Sequence, residues 1–314
     1  MAVRGPSSQR GTHLRVLITG VTGYLGRNLC QGLTEAWHQV VGTSRDPVHA
    51  NVPGLLRAYA WEPATQPLPA EALDGVDAIV HLVGESVIGR WTTAKKRKLY
   101  DSRVESTHNL VRGIRNVTVR PKVLIAGSAV GYYGDRGDQE LTEATGQGDD
   151  FLAALTSDWE LAAIEAESLG VRVVNSRTGL VVGAGAPFLK PLLLQNRLFA
   201  GGVFGSGKQW WPWVHIFDFV GATRFALENE ILRGPFNLTS SNSVMQRDFA
   251  KTLGVVLRRP SITWAPAFAM RLILGEMANE VLTSKRVLPK VLHDAGYEFR
   301  YDDLETALRH ALAR

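Results

Sequence analysis

Residues 14–26 read LRVLITGVTGYLG, an apolar run that ends in glycine and is followed by glycines at 20, 23 and 26. This junction limits the fold more than any other stretch of the chain. Leu14 to Gly20 reads as a buried strand, and Tyr24 to Ala36 follows with helical periodicity. Glycine has specific uses between a strand and a helix. One makes a tight turn, one lets backbone approach a pyrophosphate, and one lets the helix pack closely on the strand. The start of the helix offers unpaired N–H groups and the positive end of its dipole. Three glycines alone say little, but in this position they mark a dinucleotide site. Gly20, Thr22, Gly23, Tyr24, Leu25 and Gly26 are its expected contacts.

The same alternation continues downstream. Gln39 to Arg45, Asp77 to Gly84 and Pro121 to Ser128 are strand-like runs, with a long helix expected over Thr92 to Asn116. Leu152 to Leu169 reads as a helix, and Val171 to Gly183 as a strand with its exit loop. Strands alternating with helices predict an α/β protein, a Rossmann-type doubly wound parallel sheet. After Gly183 the pattern loosens. A Gly- and Trp-rich loop (Ala200 to Trp213) precedes a strand at Val214 to Phe217 and a helix to Asn229, with Asp218 as its expected N-cap. Gly234 to Ser240 reads as a strand and Met245 to Leu257 as a helix. Further helices are expected near Phe268 to Leu274, over Arg286 to Ala295, and from Asp302. The expected division is a disordered terminus at 1–13, a cofactor domain at 14–183, and a smaller C-terminal substrate lobe at 184–314. Elements near 213–240 are expected to return to the cofactor domain.

Composition narrows the class. The chain has 314 residues, 45% of them apolar and 21% charged, as in ordinary globular proteins. No apolar run approaches the ~20 residues of a membrane helix, so no membrane partner is expected. MAVRGPSSQRGTH lacks the apolar centre of a secretory signal and reads as a frayed end; Arg4 and Arg10 leave a short organelle-targeting segment as the alternative. Cys30 is the only cysteine, which excludes an intrachain disulfide and fits a reducing, cytoplasmic setting. The net charge is +5 and its one dense run is Lys95 to Lys98, either a solvated helix face or a rim that attracts an anion. No nucleic-acid-reading motif accompanies it. A monomer or homodimer is expected, and no metal cluster is evident.

Cofactor choice is read at the tip of the second strand. An acid there would hold a ribose 2′-OH. This chain has Thr43-Ser44-Arg45, a hydroxyl and a guanidinium suited to a 2′-phosphate. NADP(H) is therefore expected rather than NAD(H), through Ser44 and Arg45. Arg27 either adds charge on that side or is a plain surface arginine. His81 to Glu85 closes the fourth strand, where ligands of such sheets sit. Leu82 and Val83 are placed to flank adenine and ribose, and Gly84 to let the cofactor pass. His81 reads as a packed or capping histidine, with a ligand or base as the alternative, and Glu85 faces either pocket or solvent. Trp210, Trp211 and Trp213 form either a core clamp or a flat wall. Glu85, Trp213 and His215 are the residues assigned to a substrate pocket.

These motifs resemble an atypical extended short-chain dehydrogenase/reductase of the epimerase-like family, one labelled SulA-type. The resemblance rests on TGVTGYLG, TSR, HLVGE, Arg90-Trp91, DSR (101–103), GYYG (131–134), SDWE (157–160), RTGLVVG (177–183) and GSGKQWWPWVHIFD (205–218). The tail from Leu274 to Leu308 resembles that family's C-terminal domain of unknown function. The resemblance implies an NADP(H)-bound fold without an agreed substrate, and it adds Lys98 and Arg103 to the cofactor contacts.

Most of this superfamily uses a tyrosine as acid, its pKa of ~10 lowered by a lysine four residues later. No tyrosine here has a lysine at that spacing. Tyr132 has Arg136, in a glycine-rich loop. Where the helical pair belongs stand Leu152 and Thr156, or Phe151 and Leu155. Ser128, Tyr132 and Tyr133 are the catalytic candidates that remain. The expected function is an NADP(H)-binding oxidoreductase-like protein with an unassigned substrate. The alternatives are a non-catalytic NADP(H)-responsive protein and a nucleotide-sugar epimerase or dehydratase.

Overall fold

The computed structural model describes residues 13–313. The expectation for the disordered terminus thus lies outside the described residues, except for His13, whose ring is 2.9 Å from the Trp37 carbonyl.

Seven strands form one parallel sheet: β1 (Arg15–Thr19), β2 (Gln39–Ser44), β3 (Leu55–Ala60), β4 (Ala78–His81), β5 (Val123–Ala129), β6 (Arg172–Thr178) and β7 (Gly234–Leu238). Their order is β7-β6-β5-β4-β1-β2-β3. Helices α1 (Tyr24–Glu35), α2 (Thr93–Tyr100), α3 (Ser106–Arg115), α4 (Phe151–Ile164), α5 (Leu189–Arg197) and α6 (Ile216–Glu228) follow or cross between strands. Strand order reverses between β1 and β4, which opens a crevice at their carboxyl ends.

Both faces of the sheet are buried, which is why the strands read as continuous apolar runs. Val16 and Ile18 pack on one side with Leu29, Leu33 and Phe219, from α1 and α6. Leu17 and Ile79 pack on the other with Leu110, Ile114 and Ala163, from α3 and α4. Cys30 is wholly buried in the first layer, where burial pushes its thiol up to about 11. Beyond the sheet, α7 (Gln246–Leu257), α8 (Ala267–Leu274), α9 (Ala278–Leu282), α10 (Lys290–Asp294) and α11 (Leu304–Leu312) complete the chain. A third apolar cluster, around Trp211, Trp213, Phe249, Leu253 and Leu308, joins α7 and α11 to the sheet's exit loops.

Several elements differ from expectation. β3 is an edge strand with Leu56 exposed and only Tyr59 buried, so its sequence lacks the apolar run of a central strand. The expected helix over 92–116 is continuous from Thr93 to Arg115, but it carries a π turn at Asp101–Glu105. Arg286–Val287 is a two-residue strand that pairs with Glu140–Leu141, and the helix begins only at Lys290. Asp218 is not the N-cap of α6. His215 caps it, its Nδ1 accepting from the Phe217 N–H at 3.1 Å. Asp218 sits in the first turn and accepts instead from the backbone N–H groups of Arg300 and Tyr301, at 2.7 and 2.9 Å.

Candidate functional site

The β1–α1 junction is built by its glycines. Gly20 has φ +72°, and a Cβ there would lie 3.0 Å from the Leu82 carbonyl oxygen of β4's exit. A Cβ on Gly26 would run into the Gly20 carbonyl and the backbone of Val21, so this helix–strand approach requires glycine. The Gly23 N–H closes the turn on the Gly20 carbonyl at 3.0 Å. Gly23 caps α1 without a side-chain hydrogen bond, and the first turn carries no acid. The leading N–H groups of α1, from Tyr24 to Gly26, are thus left for an anion. The Tyr24 hydroxyl, against Gly183, has no hydrogen-bond partner among the described residues, and burial pushes it up to about 12. Thr22 is exposed at the turn, and its carbonyl accepts from Arg27 Nε at 2.9 Å. Arg27 also donates to the Asn51 carbonyl at 2.7 Å, so this arginine braces the loop from outside.

Arg45 stands exposed at the tip of β2. Asp46 does not compete with it for a ligand. Its carboxylate accepts from His49, 2.8 Å to the ring nitrogen, and that contact holds it below the usual carboxylate range. The Ser44 hydroxyl donates to the Asp46 carbonyl at 3.0 Å, which shapes the turn just before the arginine.

At the end of β4, the Leu82 N–H bonds to the Thr19 carbonyl at 3.1 Å, tying this exit to the glycine loop. His81 is buried between the Thr19 hydroxyl (2.6 Å) and the Ser106 hydroxyl (3.3 Å). Burial lowers its pKa to about 3, so it is a neutral packed group under the site. Leu82 and Val83 are half-buried and Gly84 is exposed. The π turn brings two side chains to this edge. The Ser102 hydroxyl accepts from the Glu85 N–H at 2.9 Å, and Arg103 donates to the Glu85 carbonyl at 3.0 Å. The Arg103 carbon Cζ would be 3.4 Å from a Cβ on Gly84, and burial pulls this guanidinium down to about 10. Its far side lies over the Trp159 ring, at 5.3 Å. Glu85 is half-buried and salt-bridged to Lys95 at 2.6 Å; that bond, then Lys98 and Arg103, holds its carboxyl below the usual range against burial. Lys98 itself is exposed on α2.

The carboxyl ends of β5, β6 and β7 share one buried network. Arg177 of β6 forks onto Glu160 of α4, with both bonds at 2.8 Å. Ser128 donates to the same carboxylate at 2.5 Å. Burial opposes the Arg177 charge, but Glu160 and Tyr133 outweigh it and push the guanidinium upward. Tyr133 is wholly buried, donates to Asn237 Oδ1 at 2.6 Å, and accepts from Arg177 at 3.1 Å. Burial pushes its phenol up to about 12, out of range of neutral-pH proton transfer. Tyr132 is different. It is half-buried, with the Arg177 guanidinium 3.5 Å above its ring centre.

Helix α4 presents Leu152 and Thr156 to Gly131, whose Cβ would lie 3.3 Å from Leu152 and 3.7 Å from the Thr156 hydroxyl. A phenol and an ammonium are thus replaced by a close packing contact. Trp213 and His215 pair with Leu180–Val182 in the chain that leaves β6, and the Trp213 carbonyl accepts from the Ser240 N–H beyond β7. Trp213 is fully buried, its indole N–H bonded to the Asn242 carbonyl at 2.9 Å. His215, also fully buried, spends one nitrogen as the α6 cap and meets His310 at 3.1 Å with the other. His215 thus links the start of α6 to α11 and the Tyr301 ring. Sequence reading missed Glu160, Arg177 and Asn237, although SDWE and RTG were in plain view. A lone acid and a lone arginine 17 residues apart give no sign of pairing until the sheet is closed.

A cavity of about 60 Å³ lies where α4 begins, between Trp91, Phe151 and Leu152 on one side and Glu276, Asn279 and Glu280 on the other. An ion pair between Lys96 and Glu276 closes its rim.

Glycine loop, switch-point crevice and parallel sheet define a dinucleotide-binding protein of the extended short-chain dehydrogenase/reductase kind. Residues 16–238 match the model of the NAD dependent epimerase/dehydratase family, and the chain belongs to that family. Residues 265–311 match a domain of unknown function, DUF1731. The epimerase family protein YfhF of Bacillus subtilis is 34% identical over 301 residues, covering 96% of this chain and 98% of that protein. A chloroplastic epimerase family protein, the SDR39U1 homolog of Arabidopsis thaliana, is 35% identical and covers 96% of this chain and 88% of its own. The crystal structure of human epimerase family protein SDR39U1 with NADPH superposes with TM-score 0.84 at 32% identity, covering 95% of this chain and 99% of that one.

Proposed function

We propose that this chain binds NADP(H) across the carboxyl ends of β1, β2 and β4 and is an oxidoreductase-like protein that works without a tyrosine–lysine pair. The observation that carries the cofactor reading is the tip of β2. Arg45 is an exposed cation where a 2′-phosphate needs one, Ser44 would join it by turning its hydroxyl from the Asp46 carbonyl, and the one nearby acid, Asp46, is turned onto His49. The glycine loop fits the group, because a Cβ at Gly20 or Gly26 would fill the space its backbone needs. Gly20 to Gly26 would hold the diphosphate, Leu82 to Gly84 would line the adenine and ribose, and Arg103 and Lys98 would add charge at the same edge. The human relative crystallised with NADPH supports this reading.

When bound, a nicotinamide supplies or accepts hydride. The chain's own part is to orient a substrate and move a proton. Ser128 gives its hydroxyl proton to Glu160, so toward a substrate it can only accept. Tyr133 is locked. Tyr132, beneath the Arg177 charge, is the phenol left to pass a proton. We assign the substrate to the cavity lined by Trp91, Phe151 and Glu276 at the start of α4. A second reading, cofactor sensing without turnover, is favoured by the commitment of both Ser128 and Tyr133 to internal partners. We also place the protein in a reducing, cytoplasmic compartment, a reading that its single buried thiol supports.

Native mass spectrometry of the purified chain identifies what it carries. Single-turnover mixing of the NADPH-loaded protein with a panel of aldehydes and ketones then separates the readings. NADPH consumption that a Tyr132→Phe variant loses supports catalysis. Tight binding with no consumption, together with changed hydrogen exchange at residues 275–283, supports sensing.

A further inference from the structure

Helix α8 reads AFAMRLIL, apolar on every side except for Arg271. Such a helix belongs in a core or against a membrane. Here it buries one residue, Met270. Phe268, Leu272 and Ile273 are exposed, as are Ile262 and Trp264 just upstream; all five are between 67% and 83% exposed. The patch extends through backbone contacts. Thr263–Ala265 pairs with Gly202–Phe204, and the Trp264 indole donates to the Gly205 carbonyl at 2.8 Å, which fixes the ring outward. Phe199, also exposed, joins it under Arg259, whose guanidinium is 4.6 Å from the ring centre. With ~150–250 Å² available per large side chain, the six present roughly 700 Å² of apolar surface, above the ~300–600 Å² of the largest patch on a typical monomer.

Charge identifies what covers this face. Residues 183–217 and 249–275, which build it, contain no Asp or Glu. They carry exposed Arg197, Arg258, Arg259 and Arg271. Arg258 caps α7 at φ +54°, a conformation that favours glycine, and yet holds a cation there. The acids at the margin are occupied: Glu276 pairs with Lys96, and Asp248 lies 3.9 Å from Arg247. A second copy of this face would bring like charges together, which disfavours self-pairing. Exposed Trp, Phe, Leu and Ile on segments whose only charges are arginine and lysine match the interface of an anionic bilayer.

We propose that α8 and the Ile262–Trp264 edge dock this protein on an anionic phospholipid surface. No helix among the described residues is long and apolar enough to cross a membrane, and the contact is one of lying on it. The nicotinamide site, on the other lobe, takes no part.

The test is co-flotation of the full chain with vesicles of phosphatidylcholine alone and of phosphatidylcholine mixed with phosphatidylglycerol. The proposal expects binding to the mixed vesicles, weakened by salt. A Phe268→Ser/Leu272→Ser/Ile273→Ser variant should partition at least ~30-fold more weakly, with its thermal transition unchanged because those side chains are already solvated. Arg271→Glu should lose ~10-fold on the mixed vesicles and nothing on phosphatidylcholine. Absence of binding to the mixed vesicles overturns the proposal. So does a lipid-free dimer that the triple substitution converts to monomer, which would assign the face to a second copy.

Discussion

Replacing Arg177 with methionine tests whether the buried network at the strand ends is a structural clamp. The guanidinium makes two 2.8 Å bonds to Glu160 and one of 3.1 Å to the Tyr133 hydroxyl, with both charged side chains under a tenth exposed. Removing it leaves a carboxylate buried with only Ser128 for company. Breaking one partner from a buried pair costs ~3–5 kcal/mol. For a chain of 314 residues, each kcal/mol lowers the midpoint by ~1.5 °C, so a fall of roughly 5–8 °C is expected. The double variant Arg177→Met/Glu160→Leu, which removes both charges, should recover most of the loss, because the pair's own desolvation cost disappears with it. Thermal and urea unfolding, each followed by circular dichroism, give both numbers. A single variant within 1 kcal/mol of wild type, or a double variant no better than the single, refutes the clamp.

Other expectations follow from single contacts. Arg45→Asp should weaken NADPH binding by ~10–100-fold, the worth of a charge-assisted hydrogen bond, and affect NADH little; fluorescence titration of the two coenzymes measures the ratio. Gly26→Ala should abolish cofactor binding, because the new methyl collides with the Gly20 carbonyl, and should lower the melting midpoint as the helix shifts. Two histidines are buried neutral, His81 with its pKa lowered to about 3 and His215 to about 4. Their folded values lie below the unfolded value of ~6.5, so the unfolded chain binds more protons and stability falls as pH drops below that value. The slope should reach at most ~2.7 kcal/mol per pH unit between pH ~6 and ~4.5. Urea unfolding across that range measures it, and His215→Asn should flatten it by about half.

The sheet was largely legible because parallel strands buried on both faces write themselves as uninterrupted apolar runs. Val16, Leu17 and Ile18 alternate between two cores, and each had to be apolar. β3 was illegible for the opposite reason, since an edge strand with Arg57 stacked on Tyr59 and Leu56 in solvent has no such run. The glycine loop could be read because steric need selects one residue type. The catalytic candidates could not, because their chemistry lies in pairings set by topology. Ser128 looked free until Glu160 arrived from α4, and Tyr133 looked equivalent to Tyr132 until Asn237 arrived from β7. Position alone marks Asp218 as a cap, but chain 82 residues downstream claims its carboxylate and leaves the capping to His215. Trp213 and His215 have residue types suited to a pocket, and both are buried under the tail, Trp213 among Leu304 and Leu308 and His215 against Tyr301 and His310.

The most direct measurement is isothermal titration of the purified, nucleotide-stripped chain with NADPH and with NADH in the same buffer. The account predicts NADPH bound at least ~10-fold more tightly, the equivalent of ~1.4 kcal/mol. Equal affinities, tighter NADH, or no heat from either coenzyme would contradict it.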